Sequence, residues 1–255
     1  SKIRGNPSDH ARCGMTVKIE FKLKRNIKGF TAVDLLVTLA AIAILAVVVL
    51  PAFGRSHSGG ALAQCLNNLR QIGAAWSMYS DDSNGKLIES HPWLATSIGT
   101  RIAGVANPLS WAPGYAGLGF TATYGPFPLH SPTNTAGLKR SVFYPYLNDP
   151  ALYRCPSDAR TIEGLPVVRS YSMNQWMAGD GNDPVGRLAV NRSDILNPSQ
   201  SWVLIDEDGL TIDDSMFVMR FNGRGFINLP GRRHSNGYTL LLADGHVVSR
   251  RLQDA

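Results

Sequence analysis

The longest apolar run of the chain is Phe30 to Leu50, "FTAVDLLVTLAAIAILAVVVL", and it holds one charge, Asp34. As a helix its 21 residues measure about 31 Å, the thickness of a bilayer core. Pro51 comes at once, and "SGG" at 58–60 adds a second weak point for a helix. The pattern then becomes one-sided. Leu62, Cys65, Leu66, Leu69, Ile72, Gly73, Trp76 and Tyr79 recur at three- and four-residue steps, while Asn67, Asn68, Arg70, Gln71 and Ser77 fill the opposite face. "DDSNG" (81–85) supplies turn chemistry that ends the helix. The prediction is one long helix from Phe30 to about Ser80, apolar all round in its first half and amphipathic in its second.

Residues 86–150 carry Pro108, Pro113, Pro126, Pro128 and Pro132, and read as loops and short helices, one of them within "LKRSVFYPYL" (138–147). Strand-like runs come later: "VVRSYSM" (167–173), "SWVLIDE" (201–207), "FINL" (226–229), "YTLLLA" (238–243) and "HVVSRRL" (246–252). Asp244-Gly245 between the last two signals a hairpin. A helix followed by such strands predicts an α+β fold, with the helix packed on a C-terminal antiparallel β-sheet.

Charge changes the picture at one end only. Residues 1–29 hold eight of the 25 Lys and Arg residues and two of the 19 acids, which leaves 17 of each sign from residue 30 onward. The basic balance belongs to a leader, so no nucleic-acid partner is expected. A basic segment before an apolar run predicts a single-pass inner-membrane protein with its C-terminal part exported to the periplasm. Met15 offers an alternative start. Of the three cysteines, Cys13 lies in the leader. Cys65 and Cys155 then form one disulfide in an oxidising compartment, or stay as two buried free thiols.

"KGFTAVDLLVTLAAIAILAVVVLPAF" resembles the N-terminal segment of type IV pilins and type II secretion pseudopilins. The resemblance implies a leader (1–29), a transmembrane and assembly helix (30–80) and a pilin-like head (81–255). It implies cleavage between Gly29 and Phe30 by a prepilin peptidase, and N-methylation of Phe30. Asp34 then stands where the family has Glu, and would pair with the free amine of a neighbouring Phe30. Pro51 falls where pilins often carry a helix-bending proline. "CLNNLRQIGAAWSMYSDDSNGKL" (65–87), "YRCPSD" (153–158), "RSYSMNQW" (169–176) and His234, nine residues, Asp244-Gly245 are similar to a subgroup abundant in Planctomycetes and Verrucomicrobia. The function this resemblance implies is that of a structural subunit, not an enzyme, which polymerises with other pilin or pseudopilin subunits into a pilus or secretion pseudopilus.

Two other constellations invite chemistry. Asp206, Asp208, Asp213 and Asp214, with Glu207, place five carboxylates in nine residues. They offer oxygen ligands for calcium, or make a solvated acidic turn. His234 with a carboxylate suggests a signal-anchored exported hydrolase. No nucleophile motif accompanies it, and no His/Cys group shows the local spacing of a zinc site. A minor tip pilin that binds a ligand through residues 88–150 is a third reading. The arginines of "GRGFINLPGRRH" (223–234) read as an exposed loop.

Overall fold

A computed structural model describes residues 31–95, 101–114, 132–178, 188–220, 225 and 227–252, and the side chains of these except 45–58, 93–95 and 101–105. Gly29, Phe30 and the leader lie outside these residues, as does the Pro51 side chain. The chain divides into two compact units, Ser1–Pro51 and Ala52–Ala255.

Helix α1, Ala32–Asp82, begins in the first unit. Thr31 and Asp34 close its N-terminus as a reciprocal pair. Asp34 N donates to Thr31 Oγ1 (3.3 Å), and Thr31 N donates to Asp34 Oδ2 (2.9 Å). This is the geometry of a capping box, with Asp in place of the usual Glu. Thr31 Oγ1 also donates to Asp34 Oδ2 (2.8 Å). The backbone amide and then the hydroxyl of Thr31 hold the Asp34 carboxyl below its ordinary range.

In the second unit the helix lies on a sheet. Cys65, Leu69, Ile72, Ala75 and Trp76 are buried, as the helical period of the sequence predicts. Gly73 marks a close approach: a Cβ there would stand 2.6 Å from Leu241 Cδ1. Asn68, which the sequence pattern placed on the polar face, is also buried. It is held there by Nδ2 donating to the Arg154 carbonyl (3.0 Å) and by Gln64 donating to its Oδ1 (2.9 Å). The helix ends where predicted. Asn84 (φ 55°) and Gly85 (φ 85°) take left-handed backbone, and Gly85 N donates to Ser80 O (2.8 Å).

The strands are β1 (Trp93–Ala95), β2 (Arg101–Ala106), β3 (Thr161–Ile162), β4 (Leu165–Pro166), β5 (Tyr171–Asn174), β6 (Trp202–Asp206), β7 (Met216–Phe217), β8 (Gly237–Leu242) and β9 (Val247–Arg251). Short helices α2 (Ala136–Lys139) and α3 (Tyr144–Leu147) precede a 3-10 turn at Pro150–Tyr153. β1–β2 and β3–β4 are separate hairpins; the main sheet has the order β7-β5-β6-β8-β9. The β8–β9 hairpin turns at Asp244-Gly245, with Gly245 at φ 90°. Asp244 accepts from His246 N (3.0 Å) and from His246 Nδ1 (2.9 Å) across that exposed turn.

Two expectations are corrected. The sheet is mixed, not antiparallel, because β5 and β7 run parallel. Among the described residues no helix is long and apolar enough to cross a membrane. That overturns the membrane-spanning first half of the helix, and with it the single-pass inner-membrane, periplasmic placement. "FINL" forms no strand in its described residues, and β7 lies where no strand was predicted.

Candidate functional site

Three segments of the second unit meet in its interior. Cys65 comes from α1. Cys155 follows the 3-10 turn, which Asp149 caps by accepting from Ala151 N (2.8 Å). Cys155 is then fixed by its own amide, which donates to Ser170 Oγ (3.0 Å). His234 precedes β8 at a tight turn in which Ser235 (φ 55°) and Asn236 (φ 61°) are both left-handed. Gly237 is required there: a Cβ would lie 2.7 Å from Arg250 O and 2.9 Å from His234 O.

The Cys65 and Cys155 sulfurs and a His234 ring nitrogen all lie within 4.8 Å of one another, and the three residues are buried. Cys155 Sγ is 3.2 Å from His234 Nε2. Cys65 Sγ is 3.1 Å from Tyr171 Oη and 3.4 Å from Thr239 Oγ1. No disulfide joins the sulfurs; both are free thiols. The hydrogen bond from Cys155 lowers the Cys65 thiol, and the same bond raises Cys155. His234 is raised, first by its hydrogen bond with Cys65 and then, against burial, by the negative character of Cys65 and Asp206.

A buried ion network stands beside these residues. Arg233 pairs with Asp206 and, at 3.3 Å, with Asp158. Asp158 also takes Arg160 Nη2 (2.7 Å) and the Ser170 hydroxyl (2.6 Å). Burial pushes the Asp158 carboxyl up, but the Arg160 hydrogen bonds and the Arg233 charge outweigh it and hold it low. Burial wins at Asp206, which is pushed up to about 7, and at Glu207, pushed up to about 8. Asp206 Oδ2 has no hydrogen-bond partner among the described residues. Arg169 is fully buried nearby. It donates to Tyr171 O (2.5 Å) and Ser172 Oγ (3.1 Å), and its guanidinium sits 5.8 Å from the Trp111 ring centroid.

The acidic stretch does not gather. Asp206 turns to Arg233; Asp208 Oδ1 accepts from Leu210 N (2.9 Å), Asp213 Oδ1 from Asp214 N (2.8 Å), and Asp214 Oδ1 from Met216 N (2.7 Å). Among the described residues the one group with metal-ligand geometry is Cys65, Cys155 and His234, not the carboxylates proposed for calcium. His234 and Asp244 do not form one site either: His234 is buried against Cys155, and Asp244 is in the exposed β8–β9 turn. Arg233, read as part of an exposed loop, is instead 11% exposed and paired to two carboxylates.

Sequence reasoning missed Tyr171, Asp158, Arg160, Arg169 and Arg233. One signal was available. The segments "CLNNLRQ", "YRCPSD" and "RSYSMNQW" and His234 each place a residue at this cluster. No family model, no curated protein and no solved structure matches this chain.

Proposed function

We propose that the chain is a pilin-like assembly subunit, trimmed by a prepilin peptidase between Gly29 and Phe30, whose N-terminal helix packs against the same helix in neighbouring copies. The observation that carries this reading is in the first unit. Val33, Leu35, Leu36, Val37, Leu39, Ile42 and Ile44 are each between 52% and 67% exposed. At 3.6 residues per turn they spread over about 220° of the helix circumference, leaving a sector that holds Asp34 and Thr38. A partner with a single groove covers one face of such a helix; a bundle of like helices covers all of them. Burying each of these side chains contributes about 1.5–3 kcal/mol, so covering most of them at once offsets an association cost of about 4–15 kcal/mol.

Asp34 fits the same reading. Both of its bonds to Thr31 fall on Oδ2, which leaves Oδ1 for the amine of an incoming subunit. The proposal gives the chain a structural role and no catalytic one. Its test is the double substitution Leu36→Lys, Ile42→Lys in a host with a complete pilus or pseudopilus assembly system. Sheared filament yield should fall to background while the second unit melts as in the wild type. Mass spectrometry should find the mature terminus at N-methyl-Phe30. Undiminished filaments from the double variant, or an uncut N-terminus in assembled subunits, would refute the reading.

A further inference from the structure

Cys65, Cys155 and His234 come from three separate segments and close into a triangle of ligand atoms no more than 4.8 Å on a side. A zinc ion with sulfur ligands at about 2.3 Å and nitrogen at about 2.0–2.1 Å needs tetrahedral edges of about 3.6–3.8 Å. The Cys155–His234 edge of 3.2 Å is a few tenths short of that, and the other two fall under a ceiling that contains it. Closing the triangle on a metal therefore needs only side-chain adjustment. Two sulfurs and an imidazole are the donor set of thiolate-preferring metals, zinc foremost, not of calcium or magnesium. The surroundings suit such a centre. Tyr171 and Thr239 hydroxyls stand at 3.1 and 3.4 Å from Cys65 Sγ, where each can donate to a ligating thiolate and orient it. A purely apolar core would have no use for this group of polar atoms.

Access is provided on two sides. His234 borders a cleft of about 410 Å³, whose wall includes Ser157, Arg233 and Arg251. Cys155 borders a second cleft, of about 550 Å³.

We propose that Cys65, Cys155 and His234 form a zinc-type metal centre, completed by a water from the cleft that His234 borders. On binding, Zn²⁺ takes the place of the thiol protons, which leave to solvent, and the imidazole gives its Nε2 lone pair. The ion joins α1 to the segments before β3 and β8, and so ties the helix to the sheet. The inference stands whether or not the chain assembles into filaments.

The test uses the full chain, stripped by a chelator under a phosphine reductant and titrated with Co²⁺. One equivalent should produce a thiolate-to-cobalt charge-transfer band and the intense visible bands of a four-coordinate ion, and one equivalent of Zn²⁺ should discharge both. Cys65→Ser, Cys155→Ser and His234→Ala should each abolish the band, whereas Cys13→Ser and Asp244→Asn should keep it. Zn²⁺ should raise the melting temperature of the wild type and not of Cys155→Ser. Refolding the chain in the presence of Co²⁺ removes slow access to a buried site as an explanation of failure. The proposal is overturned by a missing band in refolded chain whose thiols titrate as reduced, or by a band that survives all three ligand substitutions. It is equally overturned by chain isolated without reductant in which Cys65 and Cys155 are joined and no metal is present.

Discussion

Residues 33–44 and 65–76 belong to the same helix and share an apolar character, yet their burial is opposite. In the first stretch large apolar side chains such as Leu36 and Ile44 are each 67% exposed; in the second Leu69 and Ile72 are 0% exposed. The difference is one of pattern. The second stretch concentrates its apolar side chains on one face, and β8 offers that face a floor of Leu241 and Thr239. The first spreads its apolar side chains over most of its circumference, with Asp34 and Thr38 on the remaining side, a wider arc than one sheet face covers. One stretch completes its packing within the chain, and the other leaves its large apolar side chains exposed.

The sharpest way to break this comparison is to truncate one large side chain in each stretch. Trp76→Ala should destabilise the second unit by about 3–5 kcal/mol, because it deletes a fully packed side chain and leaves a cavity. Leu36→Ala should change its stability by less than about 0.5 kcal/mol, as an exposed substitution does. Chemical denaturation followed by tryptophan fluorescence for Leu36→Ala, and by circular dichroism for both, measures the pair. Equal losses from the two would mean that residues 33–44 are already covered within the chain.

The sheet beneath the buried stretch carries a load that the exposed stretch lacks. Glu207 follows β6, with Oε1 accepting from Asn228 Nδ2 (2.6 Å) and the Thr211 hydroxyl (3.0 Å), and burial raises it from an ordinary 4.5 to about 8. A carboxyl raised on folding keeps its proton longer in the folded state. Its contribution is therefore unpenalised below about pH 4.5, is eroded as pH climbs to about 8, and changes no further above that. Asp206, raised to about 7, adds to the same slope. Asp158 has the opposite sign: it is held low, so its contribution is lost as pH falls below the ordinary 3.8. Melting temperature should thus decline across the neutral range, and Glu207→Gln should flatten that decline. An unchanged slope in the variant would show that Glu207 does not carry it.

How much of this was legible in the sequence depends on the range of the physics involved. The stripe from Cys65 through Leu69 and Ile72 to Trp76 was legible because a helix repeats its contacts every three or four residues. The β8–β9 hairpin was legible because Asp244-Gly245 specifies its own turn. β7 was not, since a parallel strand of the two residues Met216 and Phe217 leaves no alternation to read. The Cys65–Cys155–His234 cluster was hidden for a different reason. Local ligand spacing detects pairs that share one turn or hairpin, and Cys155 and His234 are 79 residues apart. Arg233 was misread because only its pairing with Asp158 and Asp206, remote in sequence, makes its burial tolerable.

Glycines sharpen the comparison at smaller cost. Gly73 and Gly60 are both helical, but a Cβ at Gly73 meets Leu241 at 2.6 Å, and one at Gly60 meets nothing within 4 Å. Gly60→Ala should stabilise the helix by up to about 1 kcal/mol through lost backbone freedom in the unfolded chain. Gly73→Ala gains the same propensity but must displace Leu241, so it should come out destabilising by about 1 kcal/mol. Matching signs from the two substitutions would mean that the helix does not rest on β8 at Gly73.

The smallest effect on folding is expected at Asp34, and it is the one that separates the helix from the assembly. The carboxylate closes the capping box with Thr31, so Asp34→Ala should fray the first turn and lower helicity slightly. Asp34→Asn keeps an oxygen that can accept from the Thr31 amide and hydroxyl, so its helicity should match the wild type. Assembly should divide the variants differently. If Oδ1 meets the amine of a neighbouring Phe30, the counter-charge matters and the cap does not. Asn should then lose filaments as fully as Ala, while Asp34→Glu, which restores both the charge and the residue usual in a capping box, keeps them. Filament yield normalised to processed subunit, read beside circular dichroism, decides the point. Loss with Ala but not Asn would assign Asp34 to the cap alone, and the exposed stretch would then assemble through its apolar side chains without an ion pair.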